Sequence, residues 1–145
     1  MLKVKRTAVV CVLLLFLSVC VSEPKDDFAD YEWVEPPAVE GVTMRTQFPE
    51  YNGNIETINV MVANDRDERF GINWTFSLQK MVQDEWKPIK VSYDRLTLEV
   101  NNMLPNTSGT ITLNLKDHVK LPLLPGHYRI WIGTREKVSA EFDVK

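Results

Sequence analysis

The sequence is poor in the residues from which enzymes and stapled domains are built. Its two cysteines, Cys11 and Cys20, both fall in an N-terminal apolar run. Everything after that run therefore lacks a disulfide framework and a cysteine-based zinc site. If it folds outside the cytoplasm, its core must hold without covalent staples, and roughly 100 residues suffice for that. The two histidines, His118 and His127, stand in separate stretches, and isolated histidines are more often surface residues than a catalytic dyad. An enzyme needs a nucleophile with its base, paired carboxylates or a metal set. The carboxylates here are scattered, so a glycosidase pair is neither marked nor excluded, and a hydrolytic enzyme is the least supported reading. No basic cluster recurs after Arg6, and a net charge of −3 is too mild to suggest nucleic acid. Asp65, Asp67 and Glu68 lack EF-hand spacing, and Arg66 and Arg69 offset their charge. The expectation is a chain with no catalytic residue, no metal site and no cofactor.

What is present begins with a leader. Lys3, Lys5 and Arg6 precede an apolar run from Ala8 to Val21 that only Ser18 interrupts. A short basic stretch before an apolar one is the form of a secretory signal. The run is shorter than the ~20 residues that span a bilayer comfortably. Leu17-Ser18-Val19-Cys20 resembles a bacterial lipobox, whose cysteine becomes the lipidated first residue of the mature protein. It departs from that pattern at Val19, where a small residue is usual. Cleavage after Ser22 and an uncleaved anchor are the other two outcomes. Residues 1–21 are thus assigned to a signal peptide or lipoprotein signal.

Residues 22–38 are acidic. Glu23, Asp26, Asp27, Asp30, Glu32 and Glu35 face the single base Lys25, with Phe28, Tyr31 and Trp33 interleaved and Pro36-Pro37 near the end. This reads as a self-repelling tether with a stiff terminus. Two alternatives stay open: the aromatics dock on a partner, or Trp33 folds back onto the domain.

From residue 39 onward the pattern is β. Val42, Met44, Thr46 and Phe48 alternate, as do Ile58, Val60 and Val62. Ile72, Trp74, Phe76 and Leu78 form the cleanest alternation, with Trp74 where an Ig-like fold buries a tryptophan. Pro88 demotes 85–89 to an edge strand. Leu96, Leu98 and Val100 mark another strand, 110–115 alternates strictly, and Val138 to Val144 closes the chain. Turn residues punctuate these runs, giving about seven to eight strands and no helix, which suggests a sandwich or small barrel. Leu124-Pro125-Gly126-His127-Tyr128 is the organising stretch: a Pro-Gly type II turn signal feeding a tyrosine into a strand. A tyrosine so placed is either a tyrosine corner, its hydroxyl bonded to upstream backbone, or a plain core aromatic.

Alternation on that strand also singles out a pair. With Tyr128, Ile130 and Ile132 inward, Arg129 and Trp131 point out. Their outer-face neighbours should be Asn73, Thr75, Ser77 and Gln79 on one side, and Ser139, Glu141 and Asp143 on the other. Tryptophan beside arginine is a composition enriched at binding hot spots. The competing reading covers Trp131 with the acidic segment, through Trp33 or Pro36.

With 58–64, 76–80, 85–89, 124–130 and the closing Ala140-Glu141-Phe142-Asp143-Val144 in order, residues 39–145 resemble the bacterial Ig-like domains of small exported proteins from Bacillus-type bacteria. The resemblance implies an extracytoplasmic Ig-like β-sandwich, often lipid-anchored, with no assigned activity. The expected function is that of an exported, membrane-anchored, non-catalytic binding module facing an envelope protein or cell-wall partner. It would lie at the outer face of the cell membrane if Cys20 is lipidated, and be secreted otherwise. A structural or stress-related envelope protein without a dedicated ligand is the alternative.

Overall fold

The computed structural model describes residues 22–73, 75–93 and 101–145. Cys20 with the rest of the leader, Trp74, and the strand expected through Leu96, Leu98 and Val100 lie outside the described residues. The regular elements are strands: β1 (Val42–Thr46), β2 (Glu50–Tyr51), β3 (Thr57–Asn64), β4 (Phe70–Ile72), β5 (Ser77–Val82), β6 (Glu85–Ile89), β7 (Asn101–Met103), β8 (Thr107–Asn114), β9 (Gly126–Ile132) and β10 (Val138–Val144). They form a three-stranded sheet, β1-β3-β8, and a five-stranded sheet, β2-β10-β9-β5-β6, with β4-β7 as a separate pair. Pairing is antiparallel except between β2 and β10. The class is the all-β, Ig-like sandwich that the alternation suggests.

The described residues hold ten strands against the expected seven to eight, and the reason is local. The run 71–81 does not stay in one sheet: Phe70–Ile72 pairs with β7, whereas Ser77–Val82 pairs with β6 and β9. The inward phase survives the switch, since Ile72, Phe76 and Leu78 are all buried. Glu50 and Tyr51 contribute the two-residue β2 beside β10, between runs where only turn residues stand out. Pro88 sits on β6, the last strand in the sheet order, where a residue without an N–H is tolerated.

The inner faces close on one core. Ile58, Val60 and Val62 of β3 and Ile111 and Leu113 of β8 meet Leu78, Ile89, Ile130, Ile132 and Phe142 of the larger sheet. Tyr128 is fully buried and stacks on Phe142, its register partner, with ring centroids 5.7 Å apart. Its hydroxyl donates to the Leu124 carbonyl at 2.6 Å, four residues upstream, which is corner geometry. Burial, and then the charge of Asp26, raises the Tyr128 pKa above its ordinary value.

The turn before it is not the type II form, because Gly126 has φ 155° and already belongs to β9. Type II would need φ near +80° there. The glycine is favoured by that backbone angle, which residues with a Cβ rarely adopt, and a Cβ would also lie 2.6 Å from Cε of Lys80. Lys80 continues the inward phase of β5 opposite Tyr128, and its ammonium sits 5.4 Å from the Tyr128 ring centre. A charge buried there needs a partner, and Asp26 supplies it, with both carboxylate oxygens within 2.9 Å of Nζ.

That pair corrects the tether reading. Residues 22–38 do not stand away from the domain. Ala29 donates to the Pro88 carbonyl and Lys90 to the Asp27 carbonyl, so Phe28 bridges to Ile89 on the open edge of β6. The segment then crosses to the outer face of the five-stranded sheet. Self-repulsion is overcome because its carboxylates meet cations that the sheet has already desolvated.

Candidate functional site

Register fixes the site. Arg129 of β9 lies opposite Gln79 of β5 and Glu141 of β10, and Trp131 lies opposite Ser77 and Ser139. Alternation sends both side chains to the outer face, as expected. They are not bare there: Arg129 and Trp131 are each only 7% exposed. An open hot-spot pair is therefore replaced by a covered one, and the cover is the acidic segment. Trp33 lies with its ring centroid 5.9 Å from that of Trp131, and Glu35 reaches Arg129.

The Arg129 guanidinium uses all of its reach. Nε donates to Gln79 Oε1 at 2.9 Å, and Nη1 and Nη2 donate to the two oxygens of Glu35 at 2.9 and 2.8 Å. Its plane lies between two indoles, 4.4 Å from the Trp86 ring centre and 4.7 Å from that of Trp131. A planar, weakly hydrated cation is suited to such stacking, and an ammonium is not an equivalent. Trp131 Nε1 donates to the same Gln79 oxygen at 2.8 Å. The side chains thus form a row across the face, Lys137, Trp33, Trp131, Arg129 and Trp86, with the Lys137 ammonium 5.4 Å from the Trp33 ring centre.

The cover is unevenly held. The Arg129 side chain is 8% exposed, but that of its partner Glu35 is 58% exposed. Solvent screens the ion pair from the Glu35 side, so it contributes less than its geometry suggests. The other contacts are dry. Gln79 is fully buried, yet among the described residues its Nε2 finds no partner, and the buried Trp33 Nε1 finds none there either. Each such donor costs about 1–3 kcal/mol. Next to the arginine an open groove of ≈ 430 Å³ runs past Pro36, Met44, Lys137 and Ser139.

His127 lies at the far end of the row, its ring 5.5 Å from Trp86. Its Nδ1 lies 2.7 Å from Asp143 Oδ1 and its Nε2 lies 2.9 Å from Glu141 Oε2. Hydrogen bonding to Asp143, then to Glu141, raises its pKa above the ordinary value. His118 keeps other company, with Nδ1 2.9 Å from the Ser92 carbonyl and its ring against Tyr93. Among the described residues no group of His, Cys, Asp and Glu is arranged to hold a metal ion. In the 65–69 loop Arg66 instead pairs with Glu68 and Glu136.

The arrangement can recognise a carboxylate. It offers a fixed guanidinium fork, indole faces on both sides and a spare amide donor. Sequence reasoning placed Arg129, Trp131 and Gln79 on this face but left out Trp86 and Glu35, and it did not single out the inward Lys80. Trp86 was within reach: Ile89 inward on β6 puts Lys87 inward and Trp86 outward.

The sandwich and this covered outer face define an Ig-like module of two packed sheets. The bacterial Ig-like domain family matches residues 38–143, and the chain belongs to that family. No curated protein matches the sequence. Among solved structures the chain is similar to a β-glucosidase from Erythrobacter marinus, at 13% identity over 72% of this chain and 15% of that one, with a TM-score of 0.43. It is similar to a β-glucosidase from Listeria innocua in complex with isofagomine, at 19% identity over 71% of this chain and 16% of that one, with a TM-score of 0.39. It is also similar to the archaellum periplasmic stator protein FlaG from Sulfolobus acidocaldarius, at 16% identity over 70% of this chain and 99% of that one, with a TM-score of 0.41. The chain spans about a sixth of the length of the two β-glucosidases. Likenesses at this level say nothing of what the chain does.

Proposed function

We propose that this chain is an exported bacterial Ig-like module, of the kind found in small lipoproteins of Bacillus-type bacteria. A lipid on Cys20 holds it at the outer face of the cell membrane. It acts by binding an envelope protein or cell-wall partner, not by catalysis and not on nucleic acid. Export and anchoring draw support from the basic and apolar leader ending in Leu17-Ser18-Val19-Cys20. The binding reading rests on one observation, the desolvated Arg129 held between Trp86 and Trp131 on an outer sheet face. Tryptophan and arginine in a dry setting are what interface hot spots are made of.

Metabolic labelling with a fatty acid tests the anchor. The wild-type chain takes up label and fractionates with membrane, and Cys20→Ser releases it or stalls its processing. An unlabelled wild type with a mature start at Glu23 means ordinary secretion. A second reading, a structural envelope protein without a dedicated ligand, is favoured by the covering of Arg129 and Trp131 by the chain's own Trp33 and Glu35. Crosslinking in intact envelope separates the two: a discrete partner lost on Trp131→Ala, with folding intact, supports binding.

A further inference from the structure

We propose that the outer-face site around Arg129 is a recognition site for an acidic, aromatic-bearing peptide segment of a partner protein, and that residues 30–38 of this chain are a displaceable internal occupant of it. The proposal rests on the binding reading above and gives that reading a ligand class.

The covering segment has two unlike halves. Its first half is fixed. Asp26 is locked to the buried Lys80, and Asp27 and Ala29 exchange backbone hydrogen bonds with the edge of β6. Its second half is not. Among the described residues no backbone hydrogen bond ties residues 30–38 to the sheet. Tyr31 is 52% and Val34 84% exposed, so the apolar side chains that would weld this stretch to the sheet face water instead. What remains are the side chains of two residues, Trp33 against Trp131 and Lys137, and Glu35 on Arg129. A stretch with few buried apolar contacts and no ladder bonds belongs to the low-stability end of a structure. It can lift while both of its ends stay attached.

The face beneath is better formed than its occupant. Arg129 is oriented by Gln79 and by two indoles, independently of Glu35. The Gln79 amide donor and the Trp33 indole donor are both buried without acceptors among the described residues. The same segment from a second copy would leave the same donors empty, so segment exchange gains nothing over the internal contact. A foreign segment that presents a carboxylate to Arg129 and a further acceptor to Gln79 removes a cost that the internal occupant carries. The charge of the site favours an anion: Arg129 and Lys137 flank it, Glu141 opposite Arg129 is paired with His127, and the occupant it already accepts is Asp30-Tyr31-Glu32-Trp33-Val34-Glu35. Met44, Lys137 and Ser139 line the open side of the site and stay in place when residues 30–38 lift.

Because the occupant is tethered, it competes at high effective concentration, and apparent affinity for anything else falls with the fraction of open site. The test therefore empties the site within the full chain, in detergent, by Trp33→Ala with Glu35→Gln. The probe is a labelled synthetic peptide of residues 30–38. The emptied variant binds the peptide one to one, at least about tenfold more tightly than wild type does, and adding Arg129→Ala abolishes binding. Thermal melting with tryptophan fluorescence reports that each variant is folded. A folded variant that binds no peptide at up to about 1 mM overturns the proposal. So does a variant that dimerises instead of binding peptide, since the site then serves a second copy. Neither result touches the anchor, which fatty-acid labelling reads separately. Partner capture in envelope without peptide binding would place the binding face elsewhere on the sandwich.

Discussion

Replacing Arg129 by lysine keeps the charge and removes the shape, so it isolates what the site depends on. Lysine has no Nε–H for Gln79 Oε1, a buried bond of 2.9 Å whose loss costs about 1 kcal/mol. It cannot lie flat between indoles whose centres are 4.4 and 4.7 Å from the guanidinium, and each lost stack costs about 0.5–1 kcal/mol. The bidentate grip on Glu35 also goes, but that carboxylate is 58% exposed and adds at most a few tenths of a kcal/mol. Arg129→Lys should therefore destabilise by about 2–3 kcal/mol. Glu35→Gln should stay within about 0.5 kcal/mol of wild type. Urea denaturation followed by tryptophan fluorescence measures both, with an unchanged m-value as the check that the denatured state is the same. In a domain of this size the lysine variant should also melt lower by roughly 4–8 °C per kcal/mol. A lysine variant within about 0.5 kcal/mol of wild type, or a Glu35→Gln cost equal to that of Arg129→Lys, refutes the reasoning. The second result would mean that the exposed ion pair, not the dry side of the arginine, carries the energy.

Tyr128→Phe should cost about 0.5–1.5 kcal/mol, because it strips the 2.6 Å bond to the Leu124 carbonyl while leaving the stacked ring in place. An unchanged urea midpoint would reduce Tyr128 to a core aromatic. His127 should titrate above the ordinary value of about 6.5 in an NMR pH series, and Asp143→Asn, which removes the largest cause, should lower it. Since the folded-state pKa is raised, the stabilisation is complete below the unfolded value and is lost as pH rises through the folded one. An imidazole titrating at or below about 6.5 in the wild type contradicts the Asp143 and Glu141 contacts.

Alternation made the sheets legible. One residue slip would turn every side chain to the wrong face, so Tyr128, Ile130 and Ile132 inward forced Arg129 and Trp131 outward, with Ser77, Gln79, Ser139 and Glu141 beside them as expected, whereas Asn73 and Thr75 precede β5 and do not pair with β9. Alternation is blind to the change of partners between β4 and β5, because Phe70–Ile72 pairs with β7 and Ser77–Val82 with β6 and β9 while the inward phase is kept. It is equally blind to what lies on top of a sheet. Glu35 meets Arg129 across 94 residues of chain, and Trp33 sits in a stretch with no steady period. Composition there says only that the carboxylates repel one another, which is true of the segment alone and irrelevant once it meets cations.

The covering was nonetheless written into the sheet as a set of local violations. Lys80 stands in the inward phase of β5, where an apolar residue belongs. Gln79 and Arg129 stand opposite each other on an outer face, with Trp86 and Trp131 to either side. A bare face of that kind exposes apolar area, and a buried lysine without a counter-charge is expensive. Residues that break the pattern of their own element mark places where something else completes it. In this chain the completing piece has the matching oddity, an acidic run with aromatics between its charges. Asp26 answers Lys80, Trp33 answers Trp131 and Glu35 answers Arg129. Asp26 is fixed against a buried cation, while Glu35 is exposed beside a cation that the sheet already holds in place. The same composition thus yields a structural contact at one end of the segment and a replaceable one at the other, and burial of the carboxylate is what separates them.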